Sequence, residues 1–116
     1  MKRLRNHFIG VEQGEQVLFS DFEEGGPMWT DTGPRLSRTP IKFSESFKAA
    51  PTVQVSMSMW DIDAGTNPRV DIRAEDITAA GFDLVFRTWG DTRVARVRAG
   101  WMALGELRHA DEWDLY

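Results

Sequence analysis

The sequence predicts an all-β domain, a sandwich or small barrel of six strands, and three observations predict it. Clusters of turn-forming residues recur at roughly ten-residue spacing. They are Glu23-Glu24-Gly25-Gly26-Pro27, Asp31-Thr32-Gly33-Pro34, Ala64-Gly65-Thr66-Asn67-Pro68, Ala79-Ala80-Gly81 and Trp89-Gly90-Asp91. The segments between them alternate apolar and polar residues with a period of two, as strands with one wet face do. No segment carries the pattern of a helix longer than a turn.

Taken in order, residues 1–12 are compatible with a short helix, an edge strand or a frayed end. Glu15 to Phe22 and Pro40 to Phe47 are the weaker strands, with Val17, Phe19, Ile41, Phe43 and Phe47 turned inward. Pro51 to Trp60 sets Val53, Val55, Met57 and Met59 against Thr52, Gln54, Ser56 and Ser58. Arg69 to Ala74 sets Val70, Ile72 and Ala74 against Arg69, Asp71 and Arg73. Phe82 to Thr88 sets Phe82, Leu84 and Phe86 against Asp83, Val85 and Arg87. Thr92 to Leu104 sets Ala95, Val97, Ala99, Trp101 and Ala103 against Arg96 and Arg98. The chain thus divides into an N-terminal arm (1–14), available for subunit contacts, a β-domain (15–105) and an acidic C-terminal tail (106–116).

Length and composition narrow the function. A chain of 116 residues holds one domain, not a two-domain enzyme. Its net charge of −4 argues against binding along a nucleic-acid backbone, which needs a basic footprint. Without cysteine there is no disulfide, zinc ribbon or thiol nucleophile. No apolar run is long enough to insert in a membrane. The basic start carries Lys2, Arg3 and Arg5, but Phe8 and Ile9 are met at once by Gly10, Glu12 and Glu15. A Sec-type signal peptide is therefore not expected, and the chain suits cytoplasmic synthesis with release in a particle or by non-classical export.

Several constellations have a bland account. Asp61-Ile62-Asp63-Ala64-Gly65-Thr66-Asn67 offers alternate oxygens, as a calcium loop does. A calcium hand needs Gly at position six and Glu at twelve, whereas Gly65 stands at five and Ile72 at twelve, so a hairpin loop is the better account. There is no nucleophile elbow and no phosphate-cradling glycine loop, and no enzyme is expected. Arg87, Arg93, Arg96 and Arg98 form either a solvated face or a subunit contact paired with a neighbour's acids. Trp101 lies on the apolar parity and reads as core. Trp89 shares parity with Arg87 and ends its strand at a Gly-Asp turn, so it is either a binding surface or packed under a neighbouring loop. Trp29 and Trp60 also sit at segment edges.

From Ile41 to Leu104 the chain resembles the H-type lectin domain, found in snail agglutinins and at the C-terminal end of slime-mould discoidins. The resemblance is carried by Ile41-x-Phe43, Phe47-x-x-x-Pro51-x-Val53-x-Val55-Ser56, Asp61, Asn67-x-Arg69-Val70, Ile77-Thr78-x-x-Gly81-Phe82, Thr88-Trp89-x-Asp91-Thr92-x-Val94 and Trp101-x-Ala103-x-Gly105. It implies a six-stranded antiparallel β-sandwich assembled as a homotrimer. It also implies shallow, metal-free sites for galactose or N-acetylgalactosamine near subunit boundaries, used in adhesion or cell-surface recognition, with no cofactor. The family's Arg falls on Arg69, its Trp on Trp89, and Asp31 is the nearest match to its Asp. Gly90 stands where the snail proteins place a His beside the sugar, and Ala95 where they supply an aromatic.

The chemistry suits a sugar: Arg69 presents fixed donors, Asp31 accepts from hydroxyls, and Trp89 offers an apolar face to C–H groups. The expected function is therefore a non-enzymatic carbohydrate-binding module. The second expectation is a structural, assembly or adhesion component of a phage-like particle, with Trp113 in a docking tail.

Overall fold

The computed structural model describes residues 1–5 and 7–108. Six strands and two single-turn helices follow one another: β1 (Ile9–Phe19), α1 (Asp21–Glu24), α2 (Pro27–Thr30), β2 (Arg35–Lys42), β3 (Thr52–Ile62), β4 (Val70–Glu75), β5 (Gly81–Thr88) and β6 (Val94–Glu106). All pairings are antiparallel and form two three-stranded sheets, β1-β6-β3 and β2-β5-β4. The expected all-β architecture holds. Among the described residues no helix is long and apolar enough to cross a membrane.

The two inner faces meet in a continuous apolar layer. One end is filled by Ile41, Phe43, Phe47, Phe82, Leu84, Ala99 and Ala103. Phe43 and Phe47 meet edge to face at 5.1 Å between centroids, as do Phe82 and Trp101 at 5.5 Å. The other end, beneath the loops described below, holds Met28, Phe86, Val94 and Val97, with Phe19 against Phe86 at 5.4 Å. Each buried Phe contributes about 1.5–3 kcal/mol by leaving water. Trp101 packs on this core as expected, and it lies across from Gly14, whose missing Cβ makes room for the indole.

The outer faces differ. On β2-β5-β4, Arg38 bridges Asp83 (2.9 Å) and Glu75 (3.3 Å), and Arg87 bridges Glu75 (2.6 Å). These pairs leave the outward-parity Val85 fully buried. On β1-β6-β3 the corresponding positions are mostly uncharged: Val11, Gln13, Gln54, Ser56, Gly100 and Met102.

Three expectations need correction. Strand β1 begins at Ile9, so residues 9–14, expected in the arm, run in the sheet as its edge strand. The second strand is Arg35–Lys42 rather than Pro40–Phe47, although Ile41, Phe43 and Phe47 are buried as expected. Pro40 is tolerated inside it because β2 is an edge strand, where an amide donor can be absent. Val17 is exposed rather than inward, because the β1–β6 register shifts between Val17 and Phe19 and Leu18 packs on the core instead.

The start of the chain is tied down internally. Lys2 Nζ donates to the Ala50 carbonyl (3.0 Å), the Arg5 amide to Glu106 Oε1 (2.9 Å), and the Leu107 amide to the Phe8 carbonyl (2.9 Å). Most of the acidic tail, including Trp113, lies outside the described residues.

Candidate functional site

At the end of the sandwich above Phe86 and Val94, three loops converge: 31–34, 63–69 and 89–93. Strand β5 delivers the third. Thr88 is buried and donates through Oγ1 to the Arg69 carbonyl at 2.5 Å, and the next residue, Trp89, emerges 44% exposed. Gly90 then turns the chain with φ +70°, a left-handed conformation that glycine adopts without cost. Its carbonyl accepts from the Gly33 amide (2.8 Å) and from Arg35 Nη2 (3.2 Å).

Arg69 stands just before β4 and lies against this turn. Its Nη1 donates to Asp91 Oδ1 at 2.5 Å, and its amide donates to Thr92 Oγ1 at 3.2 Å. The buried Thr92 hydroxyl donates in turn to the Asn67 carbonyl, while Asn67 Nδ2 donates to Asp91 Oδ2 at 3.4 Å. The Arg69 guanidinium holds the Asp91 carboxyl below the usual carboxylate range. A Cβ on Gly90 would lie 3.1 Å from Arg69 Nη1, so glycine also lets the guanidinium approach the turn.

Structure therefore brings Arg69, Trp89 and Gly90 together, and adds Asp91. Asp31 sits on the neighbouring loop, where its amide closes α2 on the Pro27 carbonyl (2.9 Å). Its exposed carboxylate accepts from Thr30 Oγ1 (3.3 Å), and the loop reaches Gly90 through Gly33 two residues on. Thus Asp31 borders the same end without a bond to Arg69.

Sequence reasoning assigns no role to the residue that joins these loops. Arg35 is 8% exposed and donates to the carbonyls of Gly33 (Nε, 2.8 Å), Met28 (Nη1, 3.1 Å) and Gly90 (Nη2, 3.2 Å). Its fork satisfies three separate backbone acceptors. The one signal in the sequence is an arginine on the inward parity of a strand. Arg93, grouped with the surface arginines, is half-exposed but bound within its own chain: it donates to the Trp29 carbonyl (2.9 Å) and to Asp63 (3.3 Å), with Cζ 4.1 Å from the Trp29 ring centroid. Asp63 is occupied by Arg93 and by the Gly65 amide (3.0 Å), as a hairpin loop requires. Arg96 and Arg98 meet acids of their own chain, Asp61 at 3.4 Å and Glu15 at 2.8 Å.

Residues 38–104, more than half of the chain, match the model of the H-type lectin domain. The protein described as "ATP synthase subunits region ORF 7" of Fuscovulum blasticum is 54% identical over 107 residues, 92% of this chain and 93% of that one. A discoidin-1 polypeptide of Dictyostelium discoideum is 35% identical over 75 residues, 64% of this chain. The native structure of recombinant discoidin II from the same organism superposes with a TM-score of 0.75 at 26% identity over 90% of this chain. The chain spans only 30% of the discoidin-1 polypeptide and 39% of discoidin II. With the sandwich, the loop arrangement and the domain match in agreement, the chain belongs to the H-type lectin domain family.

Proposed function

We propose that the protein is a non-enzymatic lectin that holds a galactose- or N-acetylgalactosamine-type sugar at the Arg69–Trp89 end and displays this site on a homotrimer for adhesion or surface recognition. The observation that carries this reading is the Arg69–Asp91 pair beside the exposed Trp89 indole. Asp91 fixes the guanidinium, whose remaining N–H donors stay available for ring hydroxyls. Trp89 supplies an apolar face for sugar C–H groups, and Asp31 accepts hydroxyl protons with charge-assisted bonds. The Gly90 turn keeps the floor low. So shallow a site gives affinities of roughly millimolar to micromolar, about −4 to −8 kcal/mol. Display of three copies raises this by two to four decades on a glycan-coated surface, on the order of what linked sites achieve.

The uncharged stretch of the outer face of β1-β6-β3 around Gln13, Gln54, Ser56, Gly100 and Met102, away from the Arg96–Asp61 and Arg98–Glu15 pairs, supports burial of that stretch between copies. Glycan-array binding by the purified protein tests the lectin reading. Binding abolished by Trp89→Ala, with the circular dichroism spectrum unchanged, is expected. Absence of binding at high valency, or indifference to Trp89→Ala, overturns it. Sedimentation equilibrium at three chain masses is expected for the assembly.

A further inference from the structure

Trp60 lies outside the site just described and is 59% exposed. A single exposed apolar residue is ordinary, but its setting is not. Trp60 borders an open trough of about 370 Å³ that it shares with Asp61, Asp63, Thr66 and Pro68. That volume falls within the span of small-molecule clefts, about 300–1,000 Å³. Its lining combines the Trp60 indole and the apolar Ile62, Ala64 and Pro68 with the side chains of Asp61, Asp63 and Thr66.

The polar wall is fixed before any ligand arrives. Asp63 Oδ1 accepts from the Gly65 amide (3.0 Å) and Oδ2 from Arg93 Nη1 (3.3 Å). Thr66 Oγ1 donates to the Asp63 carbonyl (3.1 Å) and accepts from the Arg93 amide (3.3 Å). Asp61 pairs with Arg96 at 3.4 Å. Each carboxylate oxygen keeps a further lone pair for an incoming hydroxyl.

The loop that forms this wall also completes the first site. Residues 63–69 run from Asp63 and Thr66 at the trough to Asn67, which donates to Asp91 (3.4 Å), and Arg69, which pairs with it. One short rigid loop therefore borders both places.

We infer that the Trp60 trough is a second saccharide subsite, which takes the sugar unit following the one held by Arg69 and Trp89. Its indole packs on the C–H face of that unit, and Asp61 and Asp63 accept from its hydroxyls. The inference rests on the lectin reading and deepens it: the favoured ligand is an oligosaccharide chain rather than a single terminal sugar.

The test compares N-acetylgalactosamine with a linear trisaccharide ending in it, by titration calorimetry and by NMR of the indole N–H signals. Trp60→Phe and Trp60→Ala variants serve for assignment and for loss of contact. Tighter binding of the trisaccharide is expected, with movement of the Trp60 signal by the trisaccharide alone. Trp60→Ala is expected to cost the trisaccharide about tenfold in affinity, the factor that 1.4 kcal/mol represents, and to leave the monosaccharide unchanged. Trp89→Ala abolishes both. Monosaccharide binding together with a Trp60 signal that stays still when the trisaccharide is added, or with a trisaccharide affinity indifferent to Trp60→Ala, overturns the subsite and leaves the lectin reading standing. An oligomeric mass changed by Trp60→Ala at constant trisaccharide affinity assigns Trp60 to a contact between copies and also overturns it. Failure of both sugars to bind overturns the subsite and the galactose-type reading together.

Discussion

Asp91 Oδ1 receives Arg69 Nη1 at 2.5 Å while Asp91 Oδ2 receives Asn67 Nδ2 at 3.4 Å, so one carboxylate clamps both ends of the stretch Asn67–Arg69. The Arg69 bond holds the Asp91 carboxyl below its ordinary value, near 4 when unfolded. A depressed folded value means that the stabilisation is present above the unfolded value and is lost as the pH falls through the folded one. Glycan binding is accordingly expected to persist at pH 5 and to fall only below about pH 4. Asp91→Asn should remove this acid limb of the profile and weaken binding at pH 7. A binding loss centred between pH 5 and 6 would contradict this assignment.

Replacing Arg35 by Met strands the buried carbonyl of Met28, removes the Arg35 bond to the half-buried Gly33 carbonyl and leaves the Gly90 carbonyl with the Gly33 amide alone. Each buried acceptor left unpaired costs about 1–3 kcal/mol. Thermal denaturation should show a fall of several degrees in Tm at this chain length. Glycan binding should weaken with it, because the 31–34 loop is then held to the Gly90 turn by the Gly33 amide alone. Arg35→Lys, which can satisfy only part of the set, should fall between.

Gly90→Ala meets two penalties. An L-residue in the left-handed region costs roughly 1–2 kcal/mol, and the new Cβ lies 3.1 Å from Arg69 Nη1. A Tm lower by several degrees and a weakened glycan affinity are expected. An unchanged affinity would show that Arg69 does not need its present place.

Gly14 and Gly100 make a sharper pair, because they are near neighbours across β1 and β6. A Cβ at Gly14 would fall 2.5 Å from Trp101 Cε2, whereas at Gly100 the nearest atom is the Gly14 carbonyl at 3.9 Å. Gly14→Ala should destabilise by about 1–3 kcal/mol through overpacking. In a monomeric background Gly100→Ala should stay within about 0.5 kcal/mol, as surface changes do. Chemical denaturation of the two variants decides the matter.

The outward parity of Arg96 and Arg98 allows a reach across a boundary between copies, yet they meet Asp61 and Glu15 of their own chain. Exposed pairs of this kind contribute about 0–1 kcal/mol each. Arg96→Glu with Arg98→Glu should therefore lower Tm modestly and leave the sedimentation mass unchanged. Dissociation of the assembly would return both arginines to the boundary.

The inward faces of β3, β4, β5 and β6 are legible in the sequence because strand alternation and burial coincide there: Val53 and Val55, Ile72 and Ala74, Leu84 and Phe86, Val97 and Ala99. Strand β2 is hard to place because it runs against the pattern. Arg35, Ser37 and Thr39 take the inner parity while Leu36 is exposed. Strand β1 reads short because its inward positions include Gly14, whose role is space for Trp101. At the site, Arg69, Trp89 and Gly90 can be picked out from two motifs of the resemblance, Asn67-x-Arg69 and Thr88-Trp89-x-Asp91. Arg35 cannot, since its partners are backbone carbonyls from three segments, and carbonyls carry no letter in a sequence.

Pro40 has a consequence for many copies side by side. A sandwich has open strand borders, and copies crowded on a surface meet at high local concentration. A border with a full row of amide donors invites the next chain to zip on and begin a fibril. Along β2 the row is interrupted at Pro40, and Arg38 and Lys42 flank it with charge. The same stretch that seats Arg35 beneath the 31–34 and 89–93 loops thus guards this border against the next copy.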